Sequence, residues 1–260
     1  MDVDVINSVH FSNHTGYKHF TGTRLTGDDV HDLLNGMEHN NLLQDAHTHL
    51  LTGYVGSITL LEAIVRVYQR LRAAQSHPER FIMDVYRTQV LPIADVLTPN
   101  QFECELLADM KLESVADALA ACKKLHAQGP HVVVISSFEE AGAEEEATKS
   151  GKPRQLLVIG SRVIKRDDSV QTYEQYEVRF PWIDSYYTGT GDLFAALLLA
   201  WLHRFPNDFK RVLESVISTI QDVLRITLKL GGKNCDLKLI QSRNMIANPV
   251  IRIHAKALNQ

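Results

Sequence analysis

From His131 to Ser137 the chain reads His-Val-Val-Val-Ile-Ser-Ser, an apolar run that never alternates with polar residues. A strand of alternating character can leave one face in water. A run without alternation has to be covered on both faces, which is the position of a strand inside a parallel-type sheet. Shorter runs of similar kind are Leu50-Leu51, Phe81-Ile82-Met83-Asp84 and Asp95-Val96-Leu97-Thr98. Helical patterns lie between them. Residues 57–73 set Leu60, Leu61, Ile64, Val65, Tyr68 and Leu71 three and four apart, and residues 208–229 do the same with Val212, Val216, Ile220 and Val223. Thr26 is a suitable N-cap for a helix over 26–35, and Gly129-Pro130 stops one over 114–128. Strands alternating with helices predict an α/β fold, a three-layer sandwich around a largely parallel sheet.

The remaining segments carry weaker signals. Residues 3–9 read as an opening strand, and 156–160 with 171–180 as antiparallel strands forming a hairpin around Arg162. Residues 238–240 and 250–253 read as short edge strands. The acidic stretch 139–151 reads as a solvated loop. Neither repeats nor a low-complexity linker interrupt the chain.

A chain of 260 residues, 45% hydrophobic and 22% charged, can bury a substantial core. Its formal charge of -4 gives no electrostatic reason to expect nucleic acid or an anionic membrane as partner. Cys104, Cys122 and Cys235 are far apart and include no CxxC pair, which argues against a disulfide framework or a zinc site. With no signal peptide and no bilayer-length apolar run, the expected location is the cytoplasm.

In a parallel sheet the strand C-termini share one edge, where open α/β folds bind ligands. Here that edge would carry Thr15, Thr52 to Tyr54, Asp84, Thr98 to Asn100, Ser136 and Ser137. A second feature can join them: Thr188-Gly189-Thr190-Gly191-Asp192, followed at once by the apolar Leu193-Phe194-Ala195-Ala196-Leu197-Leu198. Glycines before a helix let a ligand approach the backbone, and the first helical amides form an anion site. A carboxylate there opposes phosphate unless it serves to take a proton from a nucleophile. Two readings of Asp192 stand at this point, general base or mere N-cap. His47 and His49 lack a third ligand at diagnostic spacing, His10, His14 and His19 are scattered, and Trp201 falls on a core spacing with Phe194 and Leu198. There is no GxxxxGK[ST] and no GxSxG.

Four stretches taken together carry a family resemblance. Phe11-Ser12-Asn13-His14-Thr15-Gly16-Tyr17, Leu51-Thr52-Gly53-Tyr54, Ala94-Asp95-Val96-Leu97-Thr98-Pro99-Asn100-Gln101-Phe102-Glu103 and Gly189-Thr190-Gly191-Asp192-Leu193-Phe194 resemble, in this order, the pyridoxal kinases of the ribokinase-like superfamily. The resemblance implies a single ribokinase-like kinase domain over 1–260. It also implies ATP-dependent phosphorylation of the 5′-hydroxymethyl group of pyridoxal, pyridoxine or pyridoxamine. Asp192 would be the general base, with the backbone of Gly189, Thr190 and Gly191 as anion hole. Thr15 and Tyr54 would line the vitamin pocket, and Asn100, Ser137 and Thr190 would contact ATP. Asp84, Thr98 and Ser136 would hold K+ or Na+, and ATP would arrive with Mg2+ or another divalent cation. A homodimer is the implied assembly.

Two departures from the family pattern stand out. Relatives begin with an additional strand and a vitamin-contacting loop, whereas here Met1 stands just before the second strand. Relatives also follow the strand-end aspartate with Pro-Val-x-Gly-Asp and a flap, whereas here Asp84 runs into Val85-Tyr86-Arg87. The alternatives are therefore a catalytically impaired relative that binds nucleotide or dimerises, and a kinase for another small alcohol such as a hydroxymethylpyrimidine. The stretch from Phe11 to Tyr17 argues against the latter.

Overall fold

The structure is a computed structural model that describes residues 2–44, 47–53, 55, 57–75, 82–84, 91–166, 171–185, 187–232 and 235–258. The chain divides into two compact units, Met1–Tyr86 and Arg87–Gln260.

In the first unit, β1 (Val9–Phe11) pairs antiparallel with β2 (Gly22–Arg24) as a two-stranded ribbon. Helix α1 (Gly27–His39) follows, then β3 (His49–Leu51), α2 (Ile58–Ala73) and β4 (Ile82–Asp84). The predicted N-cap holds: the Thr26 hydroxyl accepts from Asp29 N, and the Asp29 carboxylate accepts from Thr26 N at 2.7 Å, a reciprocal capping box. Ser57 caps α2 in the simpler way, accepting from Leu60 N at 3.2 Å. Strands β3 and β4 are parallel, Leu50 opposite Met83 and Leu51 opposite Asp84, with α2 as the crossover between them. Val30 and Leu34 of α1 and Leu60, Ala63, Val67 and Leu71 of α2 are buried as the two helices pack together.

The expected strand over 3–9 is not formed. Residues 2–7 carry no strand, and Val3 and Val5 are 74% and 68% exposed. A strand exists only where a neighbour completes its ladder, and the only stretch of this region so completed is β1. The loop carrying Thr15 therefore connects the two strands of a separate ribbon, not two strands of the β3–β4 sheet.

The second unit is the larger. It runs β5 (Val96–Leu97), α3 (Gln101–Ala108), α4 (Val115–His126), β6 (Val132–Phe138), α5 (Ala143–Ser150), β7 (Gln155–Arg166) and β8 (Gln171–Pro181). It continues with α6 (Thr190–Arg204), α7 (Phe209–Gly231), α8 (Leu239–Ala247) and β9 (Ala255–Ala257). Strands β5 and β6 are parallel; β6, β7, β8 and β9 pair antiparallel in that order. Helices cover both faces, as the unbroken apolar run of β6 requires. On one side Val133, Ile135, Leu157 and Ile159 join Cys104, Ala118, Cys122 and Leu125 of α3 and α4 in a continuous core. On the other side α7 comes so close to β7 that a Cβ on Gly160 would meet the Leu213 side chain at 2.5 Å. Each large apolar side chain buried this way contributes about 1.5–3 kcal/mol relative to exposure. The expected α/β architecture is thus observed, with parallel pairing early in the chain and an antiparallel run from β6 onward.

Four local expectations are corrected. The acidic stretch contains helix α5: Ala and Glu are good helix formers, and Glu145 and Lys149 form an i,i+4 pair at 3.6 Å. Arg162 lies within β7, paired with Glu174 of β8, so the hairpin does not turn there. Residues 239–247 are helix α8, since a stretch as short as Lys238-Leu239-Ile240 does not distinguish helix from strand. Residues 250–253 are not a strand; there Arg252 N and Ile253 N donate to the Ser218 hydroxyl of α7, at 3.1 and 3.3 Å, and deliver β9 to the edge of β8.

Candidate functional site

The Gly-rich stretch becomes the start of α6. Gly189 is the N-cap, with φ 87° and ψ 4°, a left-handed conformation that a side chain would strain. Thr190, Gly191 and Asp192 are the first turn. Leu193 N closes the first helical bond onto Gly189 O at 3.0 Å, and no side chain caps the helix. Among the described residues the amides of 190–192 have no acceptor, which leaves the donors of a helix start open as an anion site would need. Gly191 has a φ outside the left-handed region, and a Cβ there would meet nothing within 4 Å. The protein itself does not require glycine at this position.

The two readings of Asp192 can now be separated. Asp192 is the third residue of α6. The acids at the same position of α1, α3 and α4 all turn back to their own N-cap amide: Asp29 to Thr26 N at 2.7 Å, Glu103 to Asn100 N at 2.9 Å, Asp117 to Ser114 N at 3.0 Å. Asp192 does not. Its cap is glycine, it is exposed, and its carboxylate forms neither hydrogen bond nor ion pair among the described residues. It is not a capping carboxylate.

Tyr187 and the end of α7 support this loop from behind. The buried Tyr187 hydroxyl donates to Gly232 O at 3.2 Å, and Leu237 lies 4.0 Å from where a Gly189 Cβ would be.

The second group of expected residues sits where β5 and β6 end. Thr98 is buried. Pro99 O accepts from Ser136 N at 2.8 Å and from the Ser136 hydroxyl at 3.4 Å. Asn100 caps α3, its side-chain oxygen accepting from Glu103 N at 2.9 Å. Ser136 and Ser137 occupy a β-bulge: Ile135 pairs with Ile159 and Phe138 with Leu157, so two serines oppose the single residue Val158. A bulge turns side chains out of the regular alternation and is a common device beside binding sites.

Topology brings the end of β8, from which the chain continues toward α6, to this same edge. β6 runs toward that edge, β7 away from it and β8 back, so β8 passes the level of the bulge at Val178 and ends beyond it at Pro181, paired with Gln155. The ends are also stitched together. Trp182 N donates to Arg154 O at 2.9 Å, the Arg154 guanidinium stacks 4.7 Å from the Trp182 ring centre, and both arms of Arg154 reach Glu139 at 2.5 Å. Those bonds to Glu139 raise the Arg154 pKa above its ordinary value. The chain that leads into Gly189 therefore leaves from the edge that carries Thr98, Asn100, Ser136 and Ser137.

The other expected residues fall in the first unit. Thr15 is exposed in the β1–β2 connection. Asp84 closes β4, and its side chain, like all of Tyr54, lies outside the described residues. Nothing in the sequence alone marks Glu103 or Gln101 as a site residue. The first is legible in hindsight as the fourth residue of an Asn-x-x-Glu capping box. Among the described residues no three His, Cys, Asp or Glu side chains cluster as a metal site, and no helix is long and apolar enough to cross a membrane.

Comparison with known proteins is consistent across sequence and structure. The phosphomethylpyrimidine kinase family matches residues 71–238. The pyridoxal kinase of Arabidopsis thaliana is 39% identical over 280 residues, covering 98% of this chain and 85% of that protein. That of Sus scrofa is 34% identical over 290 residues, covering 99% and 87%. Among solved structures, pyridoxal kinase from Leishmania donovani in complex with ADP and pyridoxamine superimposes with a TM-score of 0.84 at 25% identity, covering 99% of this chain and 90% of that one.

Proposed function

The chain belongs to the pyridoxal kinase family, and from that premise we propose that it transfers the γ-phosphoryl group of ATP to the 5′-hydroxymethyl group of pyridoxal, pyridoxine or pyridoxamine. The observation that carries the proposal for this chain's own residues is the state of α6: an uncapped helix start whose third residue, Asp192, is an acid left out of any capping box. Orphan amides at Thr190, Gly191 and Asp192 suit the oxygens of a phosphoryl group in transfer. A carboxylate beside them suits the removal of a proton from an attacking alcohol. Phosphoryl transfer through a loose transition state needs positioning and charge neutralisation more than a strong base.

The remaining roles follow the same reading. Asn100, Ser137 and Thr190 contact ATP; Thr15 and Tyr54 contact the vitamin. Asp84, Thr98 and Ser136 are the candidates for K+ or Na+, and all three offer the oxygen donors that a hard cation takes. With no protein cluster of metal ligands among the described residues, Mg2+ or another divalent cation would be held chiefly by the nucleotide's phosphates, the usual arrangement for Mg2+. Bound there, it would neutralise charge on the transferring group. We further propose one kinase domain over residues 1–260, a homodimer and a cytoplasmic location. The last rests on the sparse, widely spaced cysteines.

One observation favours a second reading, that of an impaired enzyme. The alignments to relatives span 280 and 290 positions against a chain of 260 residues, which supports the absence here of an internal segment such as the flap expected after Asp84. A lid of this kind excludes water from the reaction. The test is pyridoxal-dependent ADP formation by the purified protein and by Asp192→Ala. Turnover that falls at least a hundredfold in the variant, with ADP binding retained, supports Asp192 as the base. Unchanged turnover removes it from the mechanism, and ADP binding without turnover in the parent protein favours the impaired reading.

A further inference from the structure

The bulge in β6 creates a difficulty that another residue resolves. With Ser136 and Ser137 both opposite Val158, the ladder between β6 and β7 slips, and β5 has already ended at Leu97. The next residues past the bulge need other partners for their backbone groups, since an unpaired one is costly when partly buried. Gln101 supplies them. Its Oε1 accepts from Glu139 N at 3.1 Å, and its Nε2 faces Glu139 O at 3.5 Å, as a neighbouring strand's peptide would. The same Nε2 donates to Leu112 O at 2.8 Å, at the connection between α3 and α4. The orientation of the carboxamide is fixed by its partners, because one end must accept from an N–H and the other donate to carbonyls.

Gln101 directly follows Asn100, and Glu139 comes two residues after Ser137. The side chain thus spans the distance between two residues proposed above to contact ATP. The Pro99 carbonyl, bonded to Ser136, makes the second tie between the same two strand ends. Glu139 is held from its other side by the two-point bond from Arg154, so the corner is fixed by both its backbone and its side chain.

We infer that Gln101 is a positioning residue for the nucleotide half of the site: its carboxamide stands in for the missing strand pairing and sets the Ser136–Ser137 bulge against Asn100. It touches no substrate. The inference rests on the kinase reading, and it predicts an effect confined to the nucleotide. Gln101→Met keeps the volume and removes all three bonds. Gln101→Glu keeps the acceptor for Glu139 N and loses the donors. Ser161→Ala is the control, because it removes a buried hydrogen-bonding group between His126 and Gln175 on β7, outside the proposed site.

ADP binding by calorimetry, Km for ATP and for pyridoxal, and melting temperature are measured for the full chain and the three variants. The expected result is ADP affinity weaker by about tenfold in Gln101→Met, less so in Gln101→Glu, and unchanged in Ser161→Ala despite a lower melting temperature. Km for pyridoxal stays within about twofold throughout. Gln101→Met binding ADP as the parent does, or losing both substrates equally, overturns the inference. So does a loss of ADP affinity in Ser161→Ala that matches its loss of stability. Should Gln101→Met fail to fold, unchanged ADP affinity in Gln101→Glu overturns it, and an affinity loss of about threefold or more upholds it. A parent protein that binds no ADP sinks the kinase reading, and this inference with it, and is recognised because all four proteins then behave alike.

Discussion

Gly191 offers a sharp separation between what the fold needs and what the reaction needs. The residue sits in the first turn of α6 with a helical backbone, and a Cβ placed on it would meet nothing within 4 Å. For the protein alone, alanine is the better residue. Glycine loses more backbone freedom on folding and costs about 0.5–1 kcal/mol relative to alanine in a helix. Gly191→Ala is therefore expected to stabilise the chain by up to that amount, a rise in melting temperature of roughly 1–4 °C for a chain of this size. If the amides of 190–192 cradle a phosphoryl group, the same methyl projects into the space the ligand uses. A displacement of about 1 Å at the reacting centre costs on the order of a hundredfold in rate, about 2.7 kcal/mol.

The assay is paired: thermal unfolding of both proteins without nucleotide, then pyridoxal-dependent ADP formation with each. Stability and activity should move in opposite directions. A variant that is more stable and as active as the parent would refute the claim that ligand approach is the reason for glycine here. Gly189 supplies the contrast. Its φ of 87° is required by the backbone itself, so Gly189→Ala should lower stability and activity together.

Three further outcomes follow from the geometry. Tyr187→Phe removes the donor to Gly232 O; it should cost about 1 kcal/mol in unfolding free energy and raise Km for ATP more than Km for pyridoxal, as kinetics with each substrate varied will show. Asp117 has a pKa below its ordinary value of 3.8, chiefly through its bond from the Ser114 hydroxyl. Its contribution is therefore present above about pH 4 and lost as pH falls through the depressed value. Asp117→Asn should be less stable than the parent at neutral pH, and the difference should shrink progressively in denaturant titrations as pH falls below about 4. Burial pushes the Cys104 thiol up to about 12 and Cys122 well above its ordinary value. A maleimide at pH 7.5 should label Cys235 alone in the native protein, with mass spectrometry of peptides as the readout.

What the sequence revealed depended on how far each interaction reaches along the chain. Helix starts were legible because their determinants lie within four residues: Thr26 with Asp29, Ser57, Ser114 with Asp117, and Asp208, which accepts from Arg211 N at 3.0 Å. The apolar strand over 132–138 was legible because its burial on two faces excludes alternation. Residues 3–9 failed for the opposite reason, since whether a strand-like run becomes a strand depends on a partner that its own pattern does not name. Helix α8 and the strap over 250–253 failed likewise, being held by Thr227 and Ser218 of a helix that begins some thirty to forty residues before them.

The site divides along the same line. The residues proposed for it, Gly189, Asp192, Asn100, Ser136 and Ser137, are legible as candidates because a reactive group announces itself by its chemical type at the end of a strand or the start of a helix. Sequence left Asp192 undecided between base and cap. Comparing one helix with three others removes the cap and leaves the base as a proposal: where Asp29, Glu103 and Asp117 turn back to an N-cap amide, Asp192 has a glycine cap and turns back to nothing among the described residues. Gln101 could not be found at all. Its neighbours mark it as one polar residue in the first turn of a helix, and its role arises only when β6 carries an extra residue relative to β7 and leaves Glu139 N without a ladder partner. Residues that react are chosen for what they are and can be read locally. Residues that hold them in place are chosen for the gap they fill, and that gap belongs to the register of strands far apart in the chain.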